Sequence, residues 1–210
     1  CVRCLRDMPL GGRTRKEAAA APAADSTAAK TETPATKAPL DSATMVKNWE
    51  AYMTPGDMQK MMASWSGNWT CEVTSWMMPG APPTQSTATA KYETSMGGRY
   101  LVSHFNGNMM GQPFEGLSTQ AYDNAKKKFI STWIDNFGTG IMVTEGPWDA
   151  ATKSITFTGK MVDPSAGDGS EVAVREIYKV IDDKHHQMEM YAPGPDGKEY
   201  KNMEIKYTKQ

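Results

Sequence analysis

From Gly67 to the end of the chain, apolar and polar side chains alternate with period 2, and turn-forming residues interrupt the alternation at short intervals. Such alternation sends one face of each segment into a core and the other into solvent, which is the pattern of strands and not of helices. Ten candidate strands can be placed: 69–77, 85–93, 99–106, 113–122, 128–136, 141–148, 154–162, 172–181, 187–191 and 199–208. Turn signals separate them, among them Pro79-Gly80, Gly97-Gly98, Asp123-Asn124, Gly167-Asp168-Gly169 and Pro195-Asp196-Gly197. Strands in series joined by hairpins form an antiparallel meander, and an open meander of this length exposes two edges. The expected fold is therefore all-β, an antiparallel up-and-down barrel of about ten strands rather than a sandwich. A barrel of this size has room for one small ligand.

Two short helices precede the strands. Residues 46–53 and 57–64 fit them, broken at Pro55-Gly56, with Thr54 expected to cap the second. Met58, Met61, Met62 and Trp65 follow i, i+3, i+4, i+7 spacing and form an apolar stripe that should pack on the next element. The hairpin 127–148 is the most informative stretch. Phe137-Gly138-Thr139-Gly140 is expected to turn it, with Gly supplying positive φ. Ser131, Trp133 and Asp135 share one face of its first strand, and Ile130, Thr132 and Ile134 share the other. Trp on an exposed strand face is unusual without a partner, and Asp is a poor strand former. Trp133 and Asp135 are therefore expected to face the barrel interior.

Residues 1–44 hold no Phe, Trp or Tyr, and from Ala18 onward they are rich in Ala, Pro, Thr, Ser and Lys. Such a segment buries too little surface to offset the entropy of ordering, so it is expected to be a disordered tether, with the folded domain spanning 45–210. The formal net charge is −1, with 7 Lys/Arg against 5 Asp/Glu in 1–44 and 16 against 19 in 45–210. No partner such as nucleic acid is implied by that balance. No apolar run approaches the ~18–20 residues of a membrane-spanning helix. The chain starts with Cys followed by a polar tether, which resembles a mature bacterial lipoprotein anchored through a lipidated Cys1. That reading implies the cell envelope or periplasm; a truncated start, and a cytoplasmic address, is the alternative. Arg3, Arg6, Arg13, Arg15 and Lys16 form a basic cluster, read either as a solvated run or as a contact to anionic headgroups. Cys1 and Cys4 have CxxC spacing, but Leu5 stands where haem attachment needs His, and no second ligand pair is placed for zinc. Cys71 is expected as a buried thiol in a strand.

At the entry to the first strand, Gly67-Asn68-Trp69 resembles the Gly-x-Trp signature of lipocalins and their calycin relatives. In that group the Trp closes the base of the barrel under a basic side chain from a late strand, a part for which Arg175 is the candidate here. A longer resemblance covers about residues 55–208. GGRYL at 97–101, PFEGLSTQAYDNAKKKFISTWIDNFGTGIM at 113–142 and PGPDGKE at 193–199 are similar to domain-of-unknown-function family 1579 (DUF1579). That resemblance implies a bacterial, lipocalin-like barrel and carries no activity with it.

GxSxG, GxGxxG, HExxH and phosphate-loop motifs do not occur, so no cofactor is expected. His104, on a strand with Tyr100 and Val102, is the only candidate for a proximal haem ligand; a satisfied or exposed His is the plainer reading. His185, His186, Met188 and Met190 mix imidazole and thioether, ligand types that suit copper, against the plainer reading of an apolar strand face after a polar turn. Charges at strand centres say more, because an interior charge must be paired or shift its pKa. Glu176 shares a face with Val172, Val174, Tyr178 and Val180, while Arg175 points the other way with Ala173 and Ile177. Asp135, Glu145 and Arg175 are candidates for a cluster that orients a ligand's polar end. The ligand-binding set expected from the sequence is Trp133, Asp135, Glu145, Arg175, His104 and Tyr191.

The leading expectation is a non-enzymatic binding protein for a small apolar or amphipathic molecule, in a cavity lined by Met, Trp and Phe. An isomerase or hydrolase with Asp135 or Glu145 as general base is the enzymatic alternative. A cell-envelope interaction module with a filled barrel is the third.

Overall fold

The computed structural model describes residues 40–210. Cys1, Cys4, the basic cluster and the expected tether as far as residue 39 lie outside the described residues. Helix α1 (Ser42–Met53) starts earlier than expected and takes residues 42–44 from the supposed tether. Asp41 is the reason. Its Oδ1 accepts from the Thr44 backbone N–H at 2.9 Å and its Oδ2 from the Thr44 hydroxyl at 2.7 Å, so the first turn is capped. Helix α2 (Asp57–Ser64) follows. Thr54 does not cap it but ends α1, donating its hydroxyl to the Glu50 carbonyl. Gly56 takes the cap position, with its N–H held by the Gln59 side chain at 2.8 Å. The apolar stripe of α2 packs as expected. Met62 and Trp65 are buried, and Met58 and Met61 lean on the same core.

The strands are β1 (Gly67–Ser75), β2 (Thr84–Ser95), β3 (Tyr100–Met109), β4 (Gln112–Asp123), β5 (Lys128–Asp135), β6 (Met142–Gly146), β7 (Trp148–Asp149), β8 (Ser154–Val162), β9 (Glu171–Val180), β10 (His185–Pro193) and β11 (Glu199–Lys209). β6 and β7 both pair with β8 and act as one barrel strand interrupted at Pro147, which has no N–H to give the ladder. Every pairing is antiparallel, β1 meets β11, and β6 meets β8, so ten strands close into a barrel. At the β6–β8 seam the backbones approach closely. A Cβ on Gly146 would overlap the Thr156 carbonyl, and one on Gly159 the Val143 carbonyl.

Hairpins alternate between the two ends of such a barrel. α2 covers one end, where β1 begins. There Trp65 stacks on Phe129 at 6.3 Å and tilts against Tyr178 at 5.4 Å. Trp69 is 1% exposed and donates its indole N–H to the Trp65 carbonyl at 2.9 Å. The basic residue at this base is Lys209, not Arg175. Its Nζ lies 5.5 Å from the Trp69 ring centre and donates to the Ser64 carbonyl. Arg175 is excluded from that part because its β9 position points out of the barrel, as the alternation with inward Val174 and Glu176 requires. No helix among the described residues is long and apolar enough to cross a membrane.

Candidate functional site

Between the packed base and the far mouth lies an interior cavity of about 60 Å³. Its walls differ. One side carries small polar groups on three successive strands: Ser103 on β3, Ser118 and Gln120 on β4, and Ser131 on β5. The register explains their grouping, since Ser103 lies across from Ser118 and Gln120 across from Ser131. Facing them are Glu176 and Tyr178 on β9 and Met188 on β10. Rings of Tyr92, Phe105, Phe157 and Tyr207 fill the flanks, and Trp133 and Met142 stand toward the β5–β6 turn.

Glu176 is the one charged side chain in this lining. It keeps some surface open to the cavity but is enclosed by the barrel wall, and among the described residues the only hydrogen bond it receives is from the Thr144 hydroxyl, at 3.3 Å. Burial pushes its carboxyl up to about 7, and the Thr144 bond opposes this only partly. The Gln120 Oε1 atom is buried without a hydrogen-bond partner among the described residues. Burial also raises the phenols of Tyr92, Tyr178 and Tyr207 well above their ordinary value. Tyr178 shares a 2.7 Å hydrogen bond with His186 Nδ1. Burial, with Lys209 adding repulsion, pulls His186 down to about 4, so it is neutral near pH 7. Cys71 is a buried thiol, as expected, pushed up to about 12 by desolvation.

Of the six residues expected to bind a ligand, the structure brings two to the interior side. Trp133 lines the cavity, stacked on Phe114 at 6.2 Å and edge-on to Phe105 at 5.2 Å. Gly116 across the sheet seats it, because a Cβ there would overlap the indole. Asp135 sits beside it with two tasks. One oxygen accepts the Trp133 indole N–H, and the other accepts the backbone N–H groups of Phe137 and Gly138 at 2.9 and 3.0 Å. That carboxylate ties the turn, and neither Gly138 nor Gly140 adopts the positive φ expected of it.

The other four face outward, so the Asp135–Glu145–Arg175 cluster does not form. Glu145 pairs with Lys128 at 2.8 Å on the outer wall, and that bond lowers its pKa. Arg175 forks onto Glu199 and lies 3.9 Å over the Tyr191 ring. Tyr191 donates to Glu189 on the same wall. His104 is exposed. The reason is shared: each occupies the outward phase of its strand, opposite in parity to a buried neighbour such as Ser103, Thr144 or Val174. The imidazole–thioether group does not gather either, since His185 is exposed on Asp182 while His186 packs on Trp69 at 4.6 Å. Among the described residues no cluster of three His, Cys, Asp or Glu could hold a metal ion.

The sequence-based set missed Glu176, Gln120 and the three serines. A signal existed for Glu176, as the single charge in the run Val172, Val174, Glu176, Tyr178, Val180. The serines carry none, because small polar residues suit either face of a strand.

The family model that matches this chain covers residues 54–209. The chain belongs to the DUF1579 family. That family is described as a protein of unknown function. The match takes in α2 and the whole barrel, and so includes every lining residue of this DUF1579 cavity. Among solved structures, Rv2717c from M. tuberculosis is 11% identical with a TM-score of 0.55, covering 75% of this chain and 99% of that one. The S-type phycobiliprotein lyase CPES from Guillardia theta is 10% identical with a TM-score of 0.52, covering 78% and 96%. At these identities the likeness is one of fold. No curated protein matches the chain.

Proposed function

We propose that this DUF1579 barrel binds a small amphipathic molecule in its interior cavity. The observation that carries the reading is the mixed lining: aromatic and thioether side chains around one weakly bonded carboxylate, Glu176, and one unpartnered amide oxygen of Gln120. Buried polar groups without partners are costly, and a ligand that completes them while covering the rings relieves that cost. The volume bounds the guest: about 60 Å³ of water-accessible space holds roughly four waters, so only a few non-hydrogen atoms fit within. The phycobiliprotein lyase of similar fold gives this reading a precedent of architecture alone.

Native mass spectrometry of the protein purified from its own host tests it. A stoichiometric small adduct, lost on denaturation and absent after Trp133→Leu or Ser118→Phe, is the expected result. An adduct-free protein whose Trp133 emission ignores every small amphiphile added would favour the filled-barrel reading.

A second reading has one observation behind it. A buried carboxyl near pH 7 has the proton affinity of a general base, so the enzymatic alternative passes from Asp135 and Glu145 to Glu176.

A further inference from the structure

We infer that the ligand of this cavity is a cation, a small organic ammonium ion; this rests on the binding role just proposed and names its chemistry. The argument begins with charge. Among the described residues the lining holds one carboxylate, Glu176, and no Lys, Arg or His. An anionic guest, such as a carboxylate or phosphate, would enter beside that group with nothing to compensate it. A neutral guest would strip water from Glu176 and force it to take up a proton. An ammonium ion supplies what the site lacks, a positive charge with hydrogen-bond donors.

The walls agree. The faces and edges of Tyr92, Phe157, Tyr178, Tyr207 and Trp133 surround the cavity, and aromatic rings attract organic cations through their quadrupoles, most strongly when water is excluded. The polar wall offers oxygen atoms to N–H donors, including the buried, unpartnered Oε1 of Gln120. Asp135, hydrogen-bonded to the lining residue Trp133, adds a carboxylate beside the cavity wall.

The surroundings leave Glu176 as the group that responds to pH. On its own strand and on β2 and β11 stand Tyr178, Tyr92 and Tyr207, all neutral. β1 brings the neutral Cys71, and β10 brings His186, neutral above pH 4 and bonded to Tyr178. β6 offers Thr144, and β8 offers Phe157. The remaining strands, β3, β4 and β5, supply serines and Gln120. Basic groups nearby are engaged elsewhere: Lys209 at the base on Ser64, Lys128 on Glu145, and Arg175 on Glu199. Ammonium binding therefore requires the ionised carboxylate. With that carboxyl at about 7, affinity at pH 6 should be about tenfold weaker than at pH 8, the ratio of ionised fractions.

The test compares propylammonium, 1-propanol and propionate, guests of similar size and different charge, by NMR titration of the full chain at pH 8. Propylammonium is expected to bind at least about tenfold tighter than either of the others, by the usual size of a hydrogen bond to a charged carboxylate. Glu176→Gln should abolish that preference. Glu145→Gln, the same change on the outer wall, should leave it intact, and thermal melting of both variants checks that they are folded. If 1-propanol binds as well as propylammonium, or if the preference survives in Glu176→Gln, the cation assignment fails while the cavity reading stands. If none of the three perturbs the resonances of cavity residues, both readings fail together.

Discussion

The Trp133 indole N–H donates to Asp135 Oδ2 at 2.8 Å, while the other oxygen of the same carboxylate caps the turn that follows. Two residues apart on one strand face, they join a cavity wall to a loop. Asp135→Ala removes an acceptor from three donors and should cost about 1–3 kcal/mol. It should also shift the emission of Trp133. Because the chain holds six Trp, the readout is the difference spectrum against Trp133→Phe. Unchanged emission with unchanged stability would mean the pair is not formed in solution.

Gly116 tests how tightly the indole is seated. Gly116→Ala places a methyl group into the Trp133 ring, so the ring must turn. Overpacking of this kind typically costs about 1–3 kcal/mol. Trp133 fluorescence should move to longer wavelength and become more open to iodide. If stability and quenching both match the wild type, the ring has slack that the structure does not show.

Trp69 is a structural residue at the base, away from the cavity lining. Trp69→Ala should cost roughly 3–5 kcal/mol as a core aromatic truncation. Trp69→Phe should retain much of the packing and lose the hydrogen bond to Trp65. Chemical denaturation measures both. Loss of ligand binding with stability intact would reassign Trp69 to the site.

The pH dependence of stability should show two opposed ramps. Glu176 has a folded pKa raised to about 7 from an ordinary 4.5, so its folded state is favoured at low pH and loses stability as pH rises from about 4.5 to about 7. His186 is depressed from 6.5 to about 4, so stability is lost as pH falls from about 6.5 to about 4. Each ramp spans about 3 kcal/mol at most, at 1.36 kcal/mol per pKa unit. Where they overlap they nearly cancel, and the wild type should be flat between about pH 4.5 and 6.5. Glu176→Gln should uncover a rise of stability with pH, and His186→Gln a fall. Urea midpoints measured across that range decide it; parallel profiles for all three proteins would contradict the assigned burial of both groups.

The barrel itself was legible in the chain. Period-2 alternation and turn residues placed ten strands, and the hairpin order follows from that, because side-chain alternation and turn geometry are local properties. The base was legible as well, through the α2 stripe and Gly67-Asn68-Trp69. Local patterns also put Trp133 and Asp135 on a common face. Which face looks inward was decided by closure. Glu145 and Arg175 lie at strand centres as Glu176 does, and strand position alone does not distinguish them. A shift of one residue exchanges the faces, and only the joined register of β6, β8 and β9 sends Glu176 in and the other two out. The cavity was likewise invisible in one dimension. Ser103, Ser118 and Ser131 come from three strands, and it took the antiparallel pairing of β3, β4 and β5 to set them side by side facing Glu176. The sequence determined the strands and their phase; the closed sheet determined the inside, because burial depends on what lies across the barrel as well as on the neighbours along the chain.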